Sequence, residues 1–137
     1  VTQQKLNQVC RTVVIYGKIC SLASGYDTVL GEGVGTFSAG EKQRLEIARA
    51  LWKDHHILLL DEHISALDPK TERHIRKSIE RLRGRTIIIV AHRLSTVVNA
   101  HKIVVLDQGQ VAEEGTHDDL LAAKGIYLEL WDAEHYA

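Results

Sequence analysis

The 137 residues suffice for one domain with a modest core, and 45% hydrophobic with 26% charged content is ordinary for a globular chain. A net charge of −1 gives the chain no overall bias toward nucleic acid or anionic lipid. Cys10 and Cys20 fit no C-x-x-C pattern and read as reduced thiols, and apolar runs such as 57–60 and 87–91 are far too short to span a bilayer. The sequence starts at Val1, holds no methionine and shows no signal peptide, so it is expected to lack its native start.

Residues 1–36 are the least readable. "TVVIY" (12–16) reads as a short strand or a buried turn of helix, and "GYDTVLGEGVG" (25–35) as a Gly-rich loop. A helix is predicted over 38–53, with Leu45, Ala48, Leu51 and Trp52 on one side. Ile57–Leu60 is a continuous apolar run, the pattern of a strand covered on both faces. Asp68 followed by Pro69 reads as an N-cap with proline at the first helical position. That helix is predicted to run to about Arg83, with Gly84 as its stop. "RTIIIVAH" (85–92) is a second buried strand. "KIVVLDQGQVAEEG" (102–115) reads as two strands around a tight turn at Gln108–Gly109. Thr116 with Asp119 opens a short helix, and 126–131 falls in a last one. Strands alternating with helices predict an α/β fold: a mainly parallel sheet flanked by helices, with a C-terminal β-hairpin and helices.

Chemistry concentrates at the carboxyl ends of the two predicted parallel strands, where ligands bind in such sheets. Asp61 and Glu62 end the first and His92 ends the second. An aspartate after an apolar strand is the Walker B arrangement, in which the carboxylate helps hold Mg²⁺ for phosphoryl transfer. An acid just beyond it can take a proton from an attacking water. The plainer alternative is that both acids cap the following turn. In "FSAGEKQRLEIARAL" (37–51), Ser38 and Glu41 form an S-x-x-E capping box. Ala39 and Gly40 leave the helix start open, and helix N-termini attract phosphate.

These stretches together resemble the nucleotide-binding domain of ATP-binding cassette transporters. "FSAGEKQRLEIARAL" is similar to the family's signature motif, "ILLLDEHISALD" to Walker B and the D-loop, and "TIIIVAHRLSTV" to the switch-histidine region. "IVVLDQGQVAEEGTHDDLL" is similar to the segment that follows in exporter-type members. The resemblance covers about Gly25 to Trp131 and implies a P-loop NTPase-like core that is incomplete. It implies ATP and Mg²⁺ as ligands. Asp61 would hold the Mg²⁺ shell, Glu62 would be the general base and His92 would contact the γ-phosphate. Ser38, Ala39, Gly40 and Glu41 would face a nucleotide held by a second, opposing nucleotide-binding domain, and Asp68 would act across the same interface. A transmembrane domain, in the same or a partner chain, and a place on the cytoplasmic face of a membrane are implied likewise. Two alternatives stay open: a non-catalytic half that only completes another domain's site, and a non-transport cassette ATPase.

The departures are specific. Phe37, Ala39 and Glu41 replace the usual Leu, Gly and Gln. His63 and Ile64 replace the small residue and hydroxyl usual after the catalytic glutamate, and the residue types alone do not explain that pair. No G-x-x-x-x-G-K-[ST] loop occurs in these residues; "TVVIYGKI" lacks both the first glycine and the final hydroxyl. "VTQQ" (1–4) resembles the Q-loop, with Gln3 as the glutamine that would reach nucleotide and Mg²⁺. On that reading residues 1–24 are a remnant of the Q-loop region and a shortened helical subdomain, and 25–137 are the C-terminal part of the ATPase domain. The eight histidines show no metal-ligand spacing. Arg73, Arg76, Lys77, Arg81, Arg83 and Arg85 are interrupted by Glu72 and Glu80, so a solvated helix face, not a nucleic-acid partner, is expected.

Overall fold

A computed structural model of the chain describes residues 2–31, 37–61 and 67–136. It falls into two compact units, Val1–Ile88 and Ile89–Ala137. The fold is α/β, with a small parallel sheet and helices.

In the first unit, α1 (Gln3–Thr12) and α2 (Tyr16–Ser21) precede a 3-10 turn at Gly25–Asp27. The predicted strand or turn at 12–16 is the joint between the two helices. Val14 adopts a left-handed φ of 59°. The N–H of Ile15 reaches the carbonyl of Cys10 at 2.9 Å, and that of Val14 reaches Arg11 at 3.1 Å. This is a Schellman closure with a β-branched residue where glycine is favoured, at a cost of about 1–2 kcal/mol. Val13 and Ile15 on either side are 0% exposed, and burying each contributes about 1.5–3 kcal/mol. The guanidinium of Arg44 donates to the Val14 carbonyl at 2.9 Å and fixes the joint from α3.

Helix α3 (Ala39–Trp52) matches the predicted span and buries Ile47, Ala48 and Leu51. Strand β1 (Ile57–Asp61) pairs with β2 (Thr86–Val90) across the connecting helix α4 (Pro69–Glu80). The core gathers Val13, Ile15 and Ile19 with Ile47, Leu51, Leu58, Ile75 and Ile79. Helix α4 ends earlier than predicted, with Arg81 as its C-cap. Gly84 still takes a left-handed φ of 75°, but beyond the helix, in the turn into β2. Arg85 and Asp54 form an ion pair beside that turn.

One expectation fails in an informative way. The apolar runs predicted strands covered on both faces, yet Ile57 is 62%, Leu59 63% and Ile88 48% exposed. Leu58 is buried in the core and Ile87 packs against it. The strands therefore alternate between a packed face and a bare apolar one.

The second unit contains a 3-10 turn (Leu94–Thr96), the β3 (Ile103–Asp107)–β4 (Gln110–Gly115) hairpin, α5 (His117–Ala123) and α6 (Ile126–Tyr136). Gln108 and Gly109 both have positive φ, 47° and 75°, as a type I′ hairpin turn requires. The register shifts by a bulge between Val105 and Leu106. Ile103, Val105, Leu120 and Tyr127 form this unit's core, with Leu94, Val97 and Ile126 against it. The last helix, Ile126–Tyr136, contains the stretch 126–131 expected in it.

Candidate functional site

Ser38 is the N-cap of α3. Its hydroxyl accepts from the N–H of Glu41 at 3.1 Å, and the carboxylate of Glu41 accepts from the N–H of Ser38 at 2.9 Å. The capping box read from the sequence is present in full. One partner of this helix start, Lys18, had no local sequence signal. The Lys18 ammonium on α2 lies 3.8 Å from the Glu41 carboxylate and 5.5 Å from the centre of the Phe37 ring. Glu41 is thus committed to its own helix start and to α2. Ala39 is exposed and Gly40 half-buried, so a helix start with small side chains faces outward.

Asp61 is the last residue of β1 and is exposed. Glu62, His63 and Ile64 lie outside the described residues. Asp68 caps α4, accepting from the N–H of Thr71 at 3.0 Å. The hydroxyl of Thr71, followed by its backbone N–H, holds the Asp68 carboxyl below the usual carboxylate range.

Gln3 is the first residue of α1, and its amide donates to Asn7 at 3.2 Å. Residues 3 and 4 are helical, so the loop expected for "VTQQ" is not what these residues form. Ser38, Ala39, Gly40, Glu41, Asp61, Asp68 and Gln3 all belong to the first unit. His92 belongs to the second, exposed, two residues ahead of the 3-10 turn at Leu94.

In order along the chain, then, an open helix start with a serine cap is followed by a strand ending in an exposed aspartate and by a strand running toward an exposed histidine. The family model described as "ABC transporter" matches residues 4–65. A solved structure, that of a bacterial Atm1-family ABC exporter with ATP bound, superposes on 99% of this chain with a TM-score of 0.90 at 42% identity.

The chain belongs to the ATP-binding cassette family.

It is an exporter-type nucleotide-binding-domain segment. The Aspergillus fumigatus ABC multidrug transporter mdr1 is 49% identical over 95% of this cassette chain. The ATP-dependent lipid A-core flippase of Hahella chejuensis is 47% identical over 94% of it. The mycobactin import ATP-binding/permease protein IrtA of Mycolicibacterium thermoresistibile is 44% identical over 98%. The cassette chain spans only 10%, 22% and 15% of those proteins, respectively, and 24% of the superposed exporter chain. Among its described residues no helix is long and apolar enough to cross a membrane.

Proposed function

We propose that this chain is the part of a transport-coupled ATPase domain that supplies the signature helix, Walker B, the D-loop and the switch histidine, at the cytoplasmic face of a membrane. The observation that carries this reading is the exposed Asp61 at the carboxyl end of a parallel strand, the position where α/β sheets bind ligands.

A hard carboxylate oxygen of this kind suits Mg²⁺, and Asp61 is the residue that would hold it. The ion, when bound with ATP, neutralises charge developing on the phosphates. Glu62 accepts the proton of the attacking water, and the His92 imidazole contacts the γ-phosphate. Ser38, Ala39 and Gly40 offer a hydroxyl, backbone N–H groups and the positive end of α3 to the nucleotide of an opposing domain. Asp68, ionised by its Thr71 contacts, acts across that interface. Gln3 is given no role in this reading, its amide nitrogen donating to Asn7 within α1. Glu41 acts indirectly, by holding the α3 start in shape. The names of the relatives, a multidrug transporter, a flippase and an import ATP-binding/permease protein, support a membrane-spanning partner domain and transport as the work done.

In the complete protein, Glu62→Gln should retain ATP binding and lose turnover by about 10²–10⁴-fold, because the amide keeps the shape and cannot take the proton. Asp61→Asn should instead weaken Mg²⁺ dependence and nucleotide binding together. Turnover at the normal rate in Glu62→Gln would place the general base elsewhere or make this half non-catalytic.

A further inference from the structure

The 3-10 turn at Leu94–Thr96 begins two residues after His92, and Arg93 lends it no side-chain cap. By contrast α3, α4 and α5 are capped by their own Ser38, Asp68 and Thr116. The first N–H of the turn is taken from a distance: Leu94 donates to the Glu134 carboxylate on α6 at 2.8 Å. A backbone N–H bonded to a carboxylate is among the stronger hydrogen bonds a protein makes.

Glu134 is itself on a fixed support. Its helix buries Tyr127, 1% exposed, in the same core against which Leu94 packs. The Tyr127 hydroxyl meets Nδ1 of His117 at 2.8 Å, joining α6 to α5. At the start of α6 the N–H of Tyr127 donates to the Glu113 carboxylate of β4 at 2.8 Å. A Cβ on Gly125 would overlap that carboxylate and push the Glu113 side chain aside. Burial, then the nearby Glu134 charge, raises the Tyr127 hydroxyl above its ordinary range, which agrees with Glu134 lying close over this core.

We propose that Glu134 is a positioning residue for His92: by holding the Leu94 N–H from α6, it sets the backbone that presents the imidazole to the γ-phosphate. The proposal rests on the reading of His92 given above. Glu134 touches no nucleotide and acts only through the segment it holds, so its loss should lower the rate of hydrolysis and leave nucleotide affinity alone. A residue that only strengthened the fold would shift the melting temperature and leave the catalytic rate of the folded protein as it was.

The test uses the complete transporter with Glu134→Ala, Glu134→Gln, His92→Ala and the double variant Glu134→Ala/His92→Ala, each checked by thermal melting. Glu134→Ala should lower kcat roughly 10- to 10²-fold with KM for ATP unchanged, and hydrogen exchange at the Leu94 amide should quicken. Glu134→Gln keeps an oxygen acceptor and should recover most of the rate. The double variant should be no slower than His92→Ala, since the two act through one group. A normal kcat in Glu134→Ala, beside a crippled His92→Ala, overturns the proposal alone. Losses that multiply in the double variant also overturn it, because Glu134 would then act elsewhere. Normal turnover in His92→Ala overturns the reading of His92 and the proposal with it.

Discussion

Ser38, Asp68 and Thr116 each accept the N–H three residues further on, and at two of them one residue is assigned two tasks. As caps they end the list of unpaired N–H groups at a helix start. In the proposed function the Ser38 hydroxyl and the Asp68 carboxylate also face a partner domain. Thr116 and Asp119 carry no such second task and show the capping term by itself. The Thr116 hydroxyl donates to the Asp119 carboxylate at 2.7 Å and holds it below the usual carboxylate range. A folded-state value below the unfolded one, about 3.9, gives stabilisation that is present above that pH and is lost as pH falls through the folded value. The start of α5 should therefore loosen on acidification below about pH 4, seen as weaker hydrogen-exchange protection of the Asp119 amide. Asp119→Asn should remove most of this dependence; protection that stays flat from about pH 5 to pH 2 would contradict it.

At the scale of elements, the two faces of β1 make opposite predictions. Leu58→Ala opens the core and should cost about 2–5 kcal/mol. Leu59→Thr on the bare face should change the stability of the isolated chain by less than about 1 kcal/mol, while costing more in the complete protein, where we expect the remainder of the domain to cover that face. Equal losses at both positions in the isolated chain, measured by urea unfolding, would refute the distinction. The run Ile57–Leu60 is apolar at every position and so reads as doubly covered, whereas only Leu58 and Leu60 turn toward the core and Ile57 and Leu59 stay exposed. Capping boxes, the Asp68–Pro69 start and the Gln108–Gly109 turn were legible because each is set by residues within four positions. The Val13–Ile15 joint was not legible, because Val14 is a poor residue for a left-handed φ and only the distant Arg44 contact and the burial of its neighbours hold it there. Lys18 at Glu41 and Glu134 at Leu94 escaped for the same reason, being contacts between elements far apart in sequence. Asp61, Asp68, Ser38 and His92 are assigned by motif, whereas the helical setting of Gln3 runs against its family-based reading.

For the whole molecule, the proposed function has these 137 residues supply groups that complete and fire an ATP site, and they hold no G-x-x-x-x-G-K-[ST] pattern for the triphosphate. Most affinity for a bound nucleotide comes from such a loop's backbone N–H groups and its lysine. Calorimetric titration of the isolated chain with Mg-ATP should therefore give no micromolar binding, and micromolar affinity would move the nucleotide site into these residues. In the proposed function the α3 start works on another domain's nucleotide. Its most direct test pairs a complete domain carrying Ser38→Arg with a partner domain that has an intact phosphate loop and a disabled signature of its own. The substitution also removes a helix cap, at about 0.5–2 kcal/mol, so both proteins are first shown to be folded by thermal melting. ATP binding by the partner should persist while hydrolysis at its nucleotide disappears. Normal hydrolysis in that pairing would mean that Ser38 is a structural cap only and that the helix start does not act across the interface.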